Sequence, residues 1–307
     1  MKVYRDIKTF ENKQNAVVTT GTFDGVHFGH QKILSRLKEV AKQLKAETVI
    51  ITFFPHPRLV LFPEDNDLKL INTLDEKIEL LSSQGIDHLI IIPFTKEFSR
   101  LSSLEFIQEI LVNSIGTKKL VIGYDHHFGK NREGSFEHLK LYSKEYGFEV
   151  EEIPEQDIND VAVSSTKIRN AILEGNIAKA NQYLGYPFAI NGKVVRGDQI
   201  GRTIGFPTAN IQVDEHYKLI PMDGIYAVRV LLGEKKYNGM LYIGNRPTVD
   251  GKKKVIEVNL FDFSEDIYDQ AITVNFVAFI RGDKHFNGLE ELKVALANDE
   301  IAVRKLL

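Results

Sequence analysis

Five near-continuous apolar runs alternating with four amphipathic stretches confine the first half of this chain to very few folds. The runs "AVVTTGTF", "ETVIITFF", "HLIIIPF", "KLVIGY" and "FEVEEIP" are rich in Val, Ile, Phe and Thr, as strands buried on both faces should be. Between them lie "QKILSRLKEVAKQLK", "LDEKIELLSSQG", "SSLEFIQEILVNSIG" and "SFEHLKLYSKEYG", with apolar residues at three- and four-residue spacing and three of the four ending at Gly, a frequent helix terminator. Strands separated by helices pair in parallel, so an α/β domain with a doubly wound sheet is expected.

Beyond residue 184 the helices stop. "FAINGKVVRG", "GIYAVRVLL", "KKYNGMLYIG", "KVIEVNLFDF" and "AITVNFVAFIRG" are strand-like and separated by Gly, Asp and Pro turns, which predicts a small antiparallel β-barrel. "GLEELKVALANDEIAVRKLL" reads as a C-terminal helix. Two short helices in "SSTKIRNAILEGNIAKANQYLG" join the halves. Domains of 1–183 and 184–307 are expected, and 307 residues suffice for a core in each.

Composition narrows the function. Cysteine is absent, which removes disulfides, thiolate catalysis and Cys-held zinc. The formal net charge is −3, and residues 184–307 hold 16 basic against 16 acidic side chains, so neither a nucleic-acid nor a membrane-surface partner is expected. The charged start "MKVYRDIKTFENKQN" lacks a signal-peptide core, and no apolar run approaches spanning length. A cytoplasmic location is expected, and the sequence leaves room for a weak homo-oligomer.

The first strand runs directly into "GTFDGVHFGH". Open α/β sheets bind ligands at the carboxyl ends of their strands, and a glycine-bearing loop before a helix N-terminus suits an anion. His27 and His30, three apart, project from one side of the opening turn and could both donate to phosphate oxygens. The loop has neither the Walker A nor the dinucleotide-binding spacing. Polar side chains left in solvent at a helix start, or a metal-binding pair, are the alternatives. "VSSTKIR" offers a second anion site: Ser164 or Ser165 can cap the following helix, and Arg169 adds a bidentate donor about a turn later.

H-x-G-H after the first strand with S-S-T-x-I-R after the last resembles the nucleotidylyltransferases, which transfer AMP or CMP from a nucleoside triphosphate to a phosphate. "GRTIGFPTAN" is similar to the signature of the riboflavin kinase barrel, and "GIYAVRV", "GMLYIGNRPT", "VIEVNLFDF" and "FIRGDKHF" resemble its further segments in order. With "FFPHP" and "VIGYDHHFGKNREG", nearly the whole chain resembles the bacterial bifunctional riboflavin kinases and FAD synthetases.

The resemblance implies phosphorylation of riboflavin to FMN and adenylylation of FMN to FAD, with ATP as co-substrate. It implies adenylyl transfer by His27, His30 and Arg169, and ATP binding by Gly21, Phe23, Asp24, Gly25, Gly29, Ser164, Ser165 and Thr166. His56, Asp125 and Phe128 fall at strand ends suited to the flavin there. In the barrel it implies ATP binding by Gly201, Gly205, Pro207 and Thr208, with Thr208 and Asn210 as Mg²⁺ ligands. Glu257 is the implied kinase base, and Arg281 and Phe286 the implied flavin contacts. On residue type alone, Glu257 reads as a solvent-facing glutamate. Tyr268–Gln270 replaces the usual Y-G-K, and Asp283 stands where glutamate is common, departures that bear on flavin affinity. Rival readings are another phosphate acceptor with a passive barrel, an inactive flavin- or nucleotide-binding regulator, and a nucleic-acid binder.

Overall fold

A computed structural model of the chain describes residues 1–11, 15–64, 68–124, 126–154, 163–197, 200–248 and 251–307. The chain divides into two compact units, Met1–Ser165 and Thr166–Leu307.

The first unit is built on a six-stranded sheet, β1 (Lys2–Tyr4), β2 (Ala16–Thr20), β3 (Glu47–Phe54), β4 (His88–Pro93), β5 (Thr117–Gly123) and β6 (Glu149–Ile153), in the order β1-β4-β3-β2-β5-β6. Every pairing is parallel. Helices α1 (Phe28–Leu44) and α3 (Leu74–Ser83) cover one face, where Leu34, Leu37, Val40 and Leu81 pack on Val17, Ile50 and Leu89. On the other face Ile107, Leu111 and Leu139 pack on Val18, Ile51 and Leu120. These come from Ser103–Glu105, a helical turn continuing as a π-helix over Phe106–Ile115 (together α4), and from α5 (Phe136–Tyr146). A short helix, α2, spans Pro57–Leu61.

Two details of this unit differ from expectation. β1 forms from the charged N-terminal segment, which its position at the sheet edge tolerates because only one side must pair. The third helical segment is mostly π-helical, a form usually found as single turns. Ser114 Oγ donates to the Glu109 carbonyl five residues back, 2.6 Å, and Thr117 Oγ1 to the Leu111 carbonyl, 2.7 Å.

Helix α6 (Ser165–Leu173) starts at the last residue of the first unit and continues into the second, where α7 (Ile177–Leu184) follows. Strands β7 (Ala189–Val195), β8 (Ala209–Gln212), β9 (Gly224–Leu232), β10 (Lys235–Thr248), β11 (Gly251–Leu260) and β12 (Ala271–Gly282) then close a barrel in the order β10-β11-β8-β7-β12-β9. A short helix, α8 (Ile200–Thr203), precedes β8, and α9 (Leu289–Arg304) ends the chain. Asn181 on α7 donates to the Phe276 carbonyl and accepts from Phe188 N, tying that helix to β12. Alternation along β12 aims Ile272, Val274 and Phe276 inward.

Candidate functional sites

The order of the sheet reverses between β2 and β5, the position at which open α/β sheets leave a crevice at their carboxyl edge. The loop after β2 ends there, and its shape is forced. Phe23 and Val26 have φ of +48° and +35°, left-handed values that cost a non-glycine residue roughly 1–3 kcal/mol each. Buried bonds hold them: the Asp24 carboxylate accepts from Ile71 N at 2.9 Å, and Ser165 Oγ donates to the Asp24 carbonyl at 2.9 Å. The second serine of the S-S-T motif is thereby bound to the H-x-G-H loop. Gly25 is also left-handed, and Gly21 continues the sheet through its bond to the Ile51 carbonyl.

His27 occupies the N-cap position of α1 without a side-chain capping bond, and Gly29 lies buried in its first turn, where no acidic side chain occurs. The His27 and His30 rings stack with centroids 3.7 Å apart and planes 17° apart, and Phe23 packs on His30 at 5.1 Å. His27 is only 7% exposed, so the pair is not a solvated helix start. Burial pushes the His30 imidazole well below its usual pKa, and the charges of His27 and Lys77 push the same way. A neutral His30 donates from one nitrogen while accepting at the other. Among the described residues no three His, Asp or Glu side chains cluster as a metal cage.

Lys77 was not among the sequence-derived candidates. It is 3% exposed on α3 and donates from Nζ to the Thr22 carbonyl at 2.8 Å. Its signal was a lysine spaced three and four from Leu74 and Leu81, on the apolar stripe.

The remaining candidates of the parallel-sheet half stand in surroundings of their own. His56 caps α2, accepting from Arg58 N at 3.2 Å, and its side chain is half-buried. Phe128 is 8% exposed, 5.4 Å from Phe106 and stacked on His126, whose own pKa burial lowers to about 4. Asp125 lies outside the described residues. Thr166, exposed, and Arg169, half-buried, lie on α6 in the second unit.

In the barrel, β8 brings the next constellation together. Asn210 stands opposite Glu257 in the β8–β11 register, and Thr208 Oγ1 donates to Glu257 Oε2 at 3.1 Å. Glu257 is 7% exposed, so it does not face solvent as its residue type alone suggested. The Asn259 amide donates to the Pro207 carbonyl at 2.7 Å, fixing the turn into β8. Two glycines make room: a Cβ at Gly201 would lie 2.2 Å from the Phe206 carbonyl oxygen, and one at Gly197 2.2 Å from the Asn210 amide. Gly205 is left-handed, with φ of +86°. A cavity of about 300 Å³, lined in part by Arg202, Pro207, Thr208, Val258, Leu260 and Tyr268, opens here. The hydroxyl oxygen of Thr208 and the amide oxygen of Asn210 suit a hard cation that takes its remaining ligands from phosphate and water.

At the C-terminal end Arg281 pairs with Asp299 of α9 through two bonds, 2.9 and 2.7 Å, and lies 5.6 Å from the centre of the Phe286 ring. Tyr242, opposite Glu257 on β10, bonds to Asp283, and burial together with that carboxylate raises its pKa to about 12. Asp269 has φ of +63° and pairs with Lys193 at 2.8 Å, while Arg196 stacks on Tyr268.

The FAD synthetase family profile matches residues 9–167, and the riboflavin kinase profile matches residues 184–307. A bifunctional riboflavin kinase/FMN adenylyltransferase from Escherichia coli K12 is 39% identical over 99% of this chain and 97% of its own length. A relative of the same description from Listeria monocytogenes is 40% identical over 93% and 90%. The fold of a crystal structure described as a macrolide-efflux protein from Streptococcus pneumoniae overlays at a TM-score of 0.89, with 33% identity, covering 99% of this chain and 98% of that one. Among the described residues no helix is long and apolar enough to cross a membrane.

Proposed function

The chain belongs to the bifunctional riboflavin kinase/FMN adenylyltransferase family, and on that premise we propose that it phosphorylates riboflavin to FMN in the barrel and adenylylates FMN to FAD on the parallel sheet, using ATP in both steps. The matched spans support functional domains of 1–183 and 184–307. A cytoplasmic protein with no nucleic-acid or membrane partner and at most weak self-association completes the reading.

The two nucleophiles make different demands. In the kinase step the ribityl 5′-hydroxyl attacks the γ-phosphorus of ATP and must lose its proton, which calls for a base. Glu257 is that base, held by the Thr208 hydroxyl. Thr208 and Asn210 would hold Mg²⁺, whose charge neutralises the triphosphate when bound. Gly201, Gly205, Pro207 and the cavity beside them take ATP, while Arg281 and Phe286 belong to the flavin side.

In the adenylyl step the FMN phosphate attacks the α-phosphorus of ATP and pyrophosphate departs. That nucleophile is already an anion, so the site needs donors placed where charge develops. His27 and His30, the backbone of Gly21–Gly29, Ser164–Thr166 and Arg169 are those donors, with His56, Asp125 and Phe128 on the flavin side. The stacking of His27 on His30 above an acid-free helix start carries this reading.

Chromatography of flavins after incubation with ATP, Mg²⁺ and either riboflavin or FMN tests both halves. FMN and FAD should form from riboflavin, and FAD from FMN. FAD from supplied FMN alone would leave the barrel without its proposed activity, and no product in either reaction would refute the reading.

A further inference from the structure

We propose that Lys77 is a positioning residue for adenylyl transfer: by fixing the Thr22 carbonyl it holds the loop after β2 in the strained shape that offers backbone donors to a phosphate. The inference rests on the reading of that loop as the adenylyl site.

Lys77 is an expensive choice for its position. It is buried on the apolar face of α3, and its ammonium donates to a neutral carbonyl. Removing a cation from water is poorly repaid by such a bond, and burial lowers its pKa to about 8 against a partial counter-effect from Asp24. An unbranched apolar side chain would fill the space without that penalty. Nor does the carbonyl depend on Lys77 alone, because Thr52 Oγ1 also donates to it at 3.3 Å.

The geometry gives the cation a different use. In a trans peptide the C=O and N–H point in opposite directions. Lys77 and Thr52 draw the Thr22 carbonyl toward themselves and so turn the Phe23 N–H the other way. Among the described residues that N–H makes no hydrogen bond. Phe23 and Val26 are the two strained residues immediately downstream. A fixed carbonyl ahead of them prevents the loop from relaxing, and strain held in this way is a recurrent means of preorganising a site. The same ammonium adds positive potential that disfavours protonation of His30.

Wild type, Lys77→Met and Lys77→Arg should be compared for FAD formation from FMN and ATP, riboflavin phosphorylation, thermal unfolding and the NMR titration of His30. Lys77→Met should lose about 100-fold in kcat for FAD formation, the scale of one lost transition-state donor, while the KM for ATP changes less than about threefold. Riboflavin phosphorylation and melting temperature should not fall, and His30 should titrate at higher pH. Lys77→Arg, which keeps charge and donor, should recover about tenfold or more of the loss. Lys77→Met with kcat within about threefold of wild type would overturn the proposal. So would a Lys77→Met protein that unfolds, or an activity loss with His30 unmoved and no rescue by arginine, because these mark a purely structural lysine. A wild type that makes no FAD from FMN defeats the underlying assignment, a result distinct from all of these.

Discussion

At the scale of the residue, the proposed roles make the two activities separable, because no side chain assigned to the adenylyl step is also assigned to the kinase step. His30→Ala removes one member of the stacked pair, and loss of a positioned donor costs about 3 kcal/mol in the barrier, or roughly 100-fold or more in rate. FAD formation from FMN should fall by that factor, while riboflavin phosphorylation assayed on the same preparation stays within about twofold. Glu257→Gln has the complementary effect: it keeps the shape and the bond from Thr208 but removes the base. Phosphorylation should fall by about 10²–10⁴-fold, the usual contribution of a general base, with FAD formation from FMN intact.

At the scale of the element, the barrel is tied to its C-terminal helix through Arg281 and Asp299, whose side chains are 27% and 7% exposed. Breaking a fully buried pair costs roughly 3–5 kcal/mol. Because Arg281 keeps some access to water, Asp299→Ala should cost about 2 kcal/mol, read by urea unfolding monitored by far-UV circular dichroism, since the chain has no Trp. The turn departure behaves differently. Asp269 is an exposed residue at positive φ with an exposed ion pair; glycine would relieve about 1 kcal/mol of backbone cost and forfeit only a solvent-screened pair. Asp269→Gly should therefore leave barrel stability within about 0.5 kcal/mol. Elements legible in the sequence were those with a strong period or a long apolar run, such as β3 and β4. Three escaped for physical reasons. The charged Lys2–Tyr4 segment becomes a strand only by pairing with β4. The four residues of β8 are too few to show alternation. The π-helix comes with side-chain bonds from Ser114 and Thr117 that no hydrophobic period reports. The histidine pair and the S-S-T motif were legible as residue types in order and Glu257 only through the family resemblance, whereas the Ser165–Asp24 bond and the cost of burying Lys77 exist only once the chain is folded.

At the scale of the whole molecule, each unit has its own core, and one buried cation gives the first unit a pH signature. Lys77 is lowered to about 8 when folded, against 10.5 as its ordinary value. Between these values the unfolded chain binds more protons than the folded one, so Lys77's contribution to unfolding free energy rises as pH climbs through this window. Unfolding of the first unit, followed by hydrogen exchange at its core amides, should show this rise in wild type and lose it in Lys77→Met. The central claim, two successive activities on one chain at two independent sites, is tested most directly by mixing. Glu257→Gln and His30→Ala proteins are each incubated with riboflavin, ATP and Mg²⁺, alone and then together, and the flavins are separated. The account predicts untouched riboflavin from the first, FMN from the second, and FAD from the mixture. FAD from either protein alone at the wild-type rate, or none from the mixture, would contradict it.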